Sequence, residues 1–127
     1  MVTIRKILKD CGYSDKAIAY YINRVNVGVI DKPTIQHAIT GPCGDTIEYY
    51  FIIESNVIRE VKFLAIGCPG IYSSGSALTT MILGKTPEQA IRLHVEDIVD
   101  FLEGVPEMKM ECVVLAKKGM DEALVNL

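Results

Sequence analysis

Residues 46–66, Thr46-Ile47-Glu48-Tyr49-Tyr50-Phe51-Ile52-Ile53-Glu54-Ser55-Asn56-Val57-Ile58-Arg59-Glu60-Val61-Lys62-Phe63-Leu64-Ala65-Ile66, decide the fold. Ile47, Tyr49, Phe51 and Ile53 alternate with Glu48, Tyr50, Ile52 and Glu54, a period of two that reads as a strand with one buried face. Ser55-Asn56 reads as a turn. Val57, Arg59, Val61 and Phe63 then alternate with Ile58, Glu60, Lys62 and Leu64, so the two runs pair as a hairpin. Upstream, Thr34 to Thr40 is a shorter strand candidate that enters the hairpin through the turn Gly41-Pro42-Cys43-Gly44.

From residue 69 onward the period changes from two to about 3.6. Ile71, Leu78 and Ile82 form one stripe of a helix ending at Gly84, with Ser73, Ser74, Gly75 and Ser76 giving it a small-residue face. Thr86-Pro87-Glu88-Gln89 starts another: Thr86 caps it, Pro87 fits the first turn and Gln89 completes a capping box. A short helix runs through Ile98, Val99 and Leu102 to Gly104. A last one follows Cys112 with Leu115, Ala116, Met120, Ala123 and Leu124 inward, and Gly119 as a weak spot of up to ~1 kcal/mol against Ala. Before the strands, Ser14 caps a helix with Ile18, Tyr21, Ile22 and Val25 on one stripe, running to Asn26 and stopped by Gly28. Ile4, Ile7 and Leu8 predict a further short helix in an extra segment over residues 1–12. Strands followed by helices define an α+β fold, a small antiparallel sheet of about three strands with helices on one face.

At 127 residues the chain is read as one domain, 1–127, large enough to bury a core without disulfide or metal staples. Half the residues are apolar and 23% are charged, the composition of a soluble globular domain. Lys and Arg are scattered singly against a net charge of −3, which argues against nucleic acid as a partner. Phe63 to Gly84 carries no charge but is interrupted by glycines, Pro69 and hydroxyl side chains, so a strand, a turn and a buried helix are expected there rather than a membrane span. The first residues carry Arg5 and Lys6 where an export signal needs its apolar stretch, and the expected location is cytoplasmic.

Four cysteines, Cys11, Cys43, Cys68 and Cys112, are spread along the chain with no C-x-x-C pair, a poor disulfide framework. Three of them fall at element ends: Cys43 in a Gly-Pro-Cys-Gly turn, Cys68 just before Pro69, and Cys112 at the start of the last helix. A helix N-terminus offers unpaired N–H groups and positive dipole, which lowers a thiol pKa and favours the thiolate that binds metal. Gly41, Gly44, Gly67 and Gly70 leave room for an inorganic partner beside the backbone. Converging at one end of the sheet, the three thiols would form a soft-ligand set suited to zinc or an iron–sulfur unit.

Gly41-Pro42-Cys43-Gly44-Asp45, Gly67-Cys68-Pro69-Gly70-Ile71-Tyr72-Ser73-Ser74-Gly75-Ser76 and Lys109-Met110-Glu111-Cys112-Val113-Val114-Leu115-Ala116 resemble the three cysteine motifs of the IscU/NifU N-terminal iron–sulfur cluster assembly scaffolds. The intervals between the cysteines, 25 and 44 residues, fit as well. Tyr13-Ser14-Asp15-Lys16-Ala17-Ile18, Asn23 and Asn26-Val27-Gly28 resemble that family's N-terminal segment, so the likeness covers residues 13 to 125. It implies a scaffold without turnover of its own. Iron, and sulfur delivered as persulfide by a cysteine desulfurase, would be assembled into a transient cluster, [2Fe–2S] first among the types, and passed to apo iron–sulfur acceptor proteins. The interval from Cys68 to Cys112 has no room for the insertion of SufU-type zinc-dependent sulfur acceptors, which favours the IscU-like branch. The resemblance makes Cys43, Cys68 and Cys112 ligands, Cys112 the persulfide acceptor, and Asp45 the family's acidic residue, a harder and weaker partner for iron that can let the cluster go.

Glu111 departs from the pattern, standing where the family commonly has His. It reads equally as a carboxylate ligand and as a favourable acid near a helix N-terminus. His37, in a strand, and His94, at a helix end where a C-terminal cation is favourable, read as structural. Cys11 lies outside the resemblance and reads as non-functional. Tyr13, Tyr20, Tyr21, Tyr49, Tyr50 and Tyr72 read as core and core-edge aromatics. Val105-Pro106-Glu107-Met108-Lys109 only partly matches a chaperone-recognition motif, which argues against a dedicated Hsp70-type partner. A homo-oligomer is compatible with the resemblance. Two alternatives stand beside the scaffold: a zinc-binding sulfur acceptor or desulfurase activator using the same thiols, and a metal-free structural or regulatory module.

Overall fold

The structure, a computed structural model, describes residues 3–125. The expectations for Met1, Val2, Asn126 and Leu127 therefore lie outside the described residues. In chain order come α1 (Ile4–Asp10), α2 (Asp15–Ile22), β1 (Ile35–Thr40), β2 (Thr46–Glu54), β3 (Val57–Ile66), α3 (Pro69–Ile82), α4 (Pro87–Ile91), α5 (Val95–Phe101), a 3-10 turn (Glu107–Lys109) and α6 (Met110–Val125). The sheet is antiparallel in the order β1-β2-β3. Helices cover one face, where Ile47, Tyr49, Phe51 and Phe63 are fully buried, and Gln36, Ala38, Lys62 and Leu64 are exposed to solvent. The expected α+β architecture is thus the observed one.

The hairpin is as the alternation predicts, with one refinement. Ser55 and Asn56 both take positive φ, 52° and 60°, the two-residue turn whose twist matches antiparallel strands. Ile53 pairs with Ile58 but Ile52 pairs with Glu60, so Arg59 is an extra residue in β3. This bulge switches the inward parity from Ile58 to Val61 and Phe63, which turns Arg59 out of what the simple alternation makes an inward row.

Three element boundaries differ from the sequence reading. α2 ends at Ile22 instead of continuing to Asn26, because Arg24 and Asn26 turn into left-handed conformations, with φ of 48° and 63°. That turn lays the following residues along β3: Phe63 N–H donates to Asn26 O at 3.1 Å and Gly28 N–H to Phe63 O at 2.9 Å, covering a sheet edge. α6 begins at Met110, so Cys112 sits inside its first turn rather than ahead of it. His94 is the N-cap of α5, not a C-terminal cation; α4 has already ended at Ile91 with Arg92 as its cap.

The caps read from sequence are present. Ser14 Oγ accepts from Ala17 N–H at 3.0 Å, and Thr86 and Gln89 exchange both bonds of a capping box at 3.0 and 3.1 Å. The Ser73–Ser76 face of α3 is buried, and Ser76 Oγ donates to Val25 O at 2.8 Å. Gly119, a cost to the helix itself, is also a point of close approach: a Cβ there would lie 2.7 Å from Ile39 Cγ2, so α6 could not lie this near β1 with any other residue. Tyr49 fastens the same contact by donating its hydroxyl to Ala116 O at 2.7 Å. No helix among the described residues is long and apolar enough to cross a membrane.

Candidate metal centre

Three elements meet at the end of the sheet opposite the Ser55-Asn56 turn. The β1–β2 connection is closed by Gly41 N–H donating to Asp45 O at 2.8 Å and Gly44 N–H to Gly41 O at 3.0 Å, which fixes Asp45 immediately ahead of β2. β3 leads through Gly67 into Cys68, the N-cap of α3, whose thiol makes no capping bond and is free for other partners. Cys112 comes from the first turn of α6, packed beside α3. Gly67 is required twice over: its φ is +150°, and a Cβ there would run into the Asp45 carboxylate, lying 3.1 Å even from Asp45 Cβ.

The result is a triangle of donors. Cys68 Sγ lies 3.3 Å from Cys112 Sγ and 3.3 Å from Asp45 Oδ2, and Cys112 Sγ lies 3.7 Å from the same oxygen. With metal–sulfur bonds near 2.3 Å, the edge of a coordination tetrahedron is about 3.8 Å, so the three atoms stand within about half an ångström of the separation that one ion imposes. Asp45 and Cys68 are half-buried and Cys112 is buried.

The electrostatics differ from the sequence expectation. Burial, the neighbouring Cys68 thiol and the Asp45 charge push the Cys112 thiol far above its ordinary value, against the opposing pull of Lys109. Desolvation is the largest of these causes, because burial disfavours the charged thiolate. In the metal-free chain Cys112 is therefore a thiol, and a bound cation would have to displace its proton.

The structure brings Asp45, Cys68 and Cys112 together and leaves the other named residues elsewhere. Cys43 is exposed in the turn two residues before Asp45. Glu111 is exposed and lines a shallow depression with Gly41, Pro42 and Lys118. Cys11, exposed, caps the end of α1. His37 Nε2 meets Glu122 Oε1 at 2.9 Å, an ion pair between β1 and α6 when the ring is protonated. Sequence reasoning missed Tyr13. It is buried as expected of a core aromatic, and its Oη and Cys112 Sγ both approach Gly70; burial and the nearby Cys68 and Cys112 push its hydroxyl far above the usual phenol range, against a hydrogen bond from the Gly70 backbone. A polar-tipped residue next to a helix cap was the available signal, and periodicity cannot tell which way such a tip points.

Two thiols and a carboxylate gathered from three elements at one end of an α+β sheet form a donor set that could hold a soft metal ion. Residues 12–127 match the family described as NifU-like N terminal domain, and the chain belongs to that family; α1 precedes the match. It is 33% identical over 115 residues to an iron–sulfur cluster assembly scaffold protein IscU of Archaeoglobus fulgidus, covering 90% of this chain and 75% of that protein. Its identity to the IscU scaffold of Haemophilus influenzae is 31% over 119 residues, covering 90% and 94%. To the nitrogen fixation protein NifU of a Nostoc species it is 35% identical over 124 residues, a match taking in 90% of this chain but 41% of that longer protein. In fold it is similar to the N-terminal part of a NifU-like protein from Brucella abortus, with a TM-score of 0.75 at 14% identity, covering 93% of this chain and 95% of that one.

Proposed function

We propose that this chain is a scaffold on which an iron–sulfur cluster is assembled in the cytoplasm and from which it is handed on, with no turnover of its own. The observation that carries this reading is the triangle of Asp45, Cys68 and Cys112, set at metal-ligand spacing in a member of a family whose relatives bear the scaffold name. Cys43, on the exposed turn beside Asp45, supplies the third thiolate when cargo loads. Asp45 is the exchangeable ligand: carboxylate oxygen holds iron less firmly than thiolate does, so its departure opens the site to an acceptor. Glu111, exposed in the first turn of α6, contributes negative charge at the helix N-terminus and is the alternative carboxylate ligand to Asp45.

Sulfur would arrive from a cysteine desulfurase. The Cys112 thiolate attacks the outer sulfur of the donor's persulfide, the donor leaves as thiolate, and Cys112 carries the sulfane sulfur. That sulfur becomes bridging sulfide only after two electrons arrive from an external reductant. Because Cys112 is buried and protonated in the metal-free chain, a bound cation or a docked donor must first convert it to an accessible thiolate. The cargo is taken to be a [2Fe–2S] unit. The single-ion spacing of the triangle supports a second reading, zinc held by Cys68, Cys112 and Asp45 in a sulfur acceptor or desulfurase activator.

Anaerobic incubation with ferrous iron, cysteine and a cysteine desulfurase tests the scaffold. The expected result is a visible sulfide-to-iron absorption that is absent in Cys68→Ala. A full cluster on Cys68→Ala would overturn the site, and tightly held zinc with faster desulfurase turnover and no sulfide would favour the second reading.

A further inference from the structure

Tyr13 immediately precedes the Ser14 cap of α2, with 6% of its surface exposed. Among the described residues its hydroxyl is the one buried side-chain N or O group that donates to no acceptor, while the Gly70 backbone N–H faces its oxygen. Burying such a group unpaired costs stability that a phenylalanine ring would not. The other buried or half-buried hydroxyls in this region are satisfied: Tyr72 donates to Ala65 O at 2.6 Å, and Ser74 to Gly70 O at 2.6 Å. The exception lies at the metal centre. A Cβ added to Gly70 would stand 3.3 Å from Tyr13 Oη and 3.2 Å from Cys112 Sγ, so the two atoms converge on the same bare backbone at the start of α3.

We propose that Tyr13 is a positioning residue whose hydroxyl donates a hydrogen bond to the sulfur at Cys112 once that sulfur is a thiolate holding metal or cargo. This inference rests on the scaffold reading of the site and adds to it a donor outside the ligand set. A neutral thiol is a weak acceptor, and in the metal-free chain Cys112 Sγ already faces Cys68 Sγ and Asp45 Oδ2. Converted to thiolate, the same sulfur is a charged acceptor, and a phenol keeps its proton at neutral pH, so the orphaned donor gains its partner on loading. Tyr13 thus keeps at Gly70 a donor whose hydrogen bond to the Cys112 sulfur strengthens on loading and spreads the sulfur's charge away from the metal.

Tyr13→Phe removes the O–H and keeps the ring. Zinc affinity by chelator competition, the thiolate-to-metal absorption of the cobalt(II) form and the thermal midpoint of the metal-free chain are measured together, with Tyr72→Phe as the comparison. The expected result is zinc affinity lower by about 10- to 100-fold, a cobalt charge-transfer band moved to longer wavelength, and a metal-free midpoint equal to or above that of the unmodified chain. Tyr72→Phe should lose thermal stability and keep its zinc affinity and its band. An unmoved band with unchanged affinity in Tyr13→Phe overturns the inference while leaving the scaffold standing, as does a fall in the metal-free midpoint with the band unmoved, which would make the hydroxyl structural. An unmodified chain that binds neither zinc nor cobalt overturns both.

Discussion

β2 is bounded by two turns of opposite design. At one end Ser55-Asn56 reverses the chain in two residues, both in left-handed conformations, with Glu54 paired to Val57. At the other, Gly41 to Asp45 takes five residues over the same reversal, exposing a cysteine and pressing a carboxylate against two thiols. The first connection is as short as a hairpin allows and serves the fold alone. The second carries residues that reversal does not need, and beside it lie a buried thiol with a raised pKa and an orphaned phenol. Within one strand's length the molecule separates stability from chemistry, and the one buried hydroxyl that donates to no acceptor among the described residues lies at the chemical end.

Substitutions at the two ends should therefore fail in different ways. Cys68→Ala or Cys112→Ala should weaken zinc binding by more than about 100-fold, beyond the usual loss of a residue that only supports a ligand. Competition titration checks this, and a loss below tenfold would break the contrast. Gly67→Ala should do both kinds of damage, because strain at positive φ adds to the collision with Asp45: about 1–3 kcal/mol of stability, seen in denaturant unfolding, together with zinc affinity reduced by at least about tenfold.

At the structural end, Asn56→Ala should cost about 1 kcal/mol through its positive φ, lowering the midpoint by a few degrees, with zinc affinity unchanged. A loss of metal binding there would show that the two ends are not independent. Cys43→Ala sharpens the chemical end itself. It should leave zinc affinity within about threefold, since the triangle of the other three donors is complete without it, yet abolish retention of an iron–sulfur cluster. Equal effects on both cargoes would place Cys43 in a single shared site.

The fold was legible because its signals are local. The alternation from Thr46 to Glu54 and the caps at Ser14 and Thr86 were readable in a few residues each, and each reappears in the structure. What escaped was set by tertiary demand. The bulge at Arg59 shows in the sequence only as a charge in an apolar row, and α2 stops early because the chain must turn to cover β3. Gly119 looks costly in a helix until Ile39 is seen to need the space.

At the site, residue types and element ends picked out Cys43, Cys68 and Cys112, and the family resemblance added Asp45; the fold assembles Asp45, Cys68 and Cys112 and leaves Cys43 exposed on the adjacent turn. Sequence offered no means of seeing how deeply Cys112 is buried, and burial is the largest cause raising its thiol. It was equally silent on Tyr13, whose ring follows the core pattern while its hydroxyl follows the metal centre.

The most direct test of the central claim is iron and acid-labile sulfide per chain after anaerobic reconstitution, followed by exposure of the loaded protein to an apo-ferredoxin. The scaffold account predicts iron and sulfide in equal amounts, and loss of both from this chain as the ferredoxin gains its spectrum. Iron or zinc bound without sulfide, or a cluster that stays on this chain in the presence of the acceptor, would contradict it.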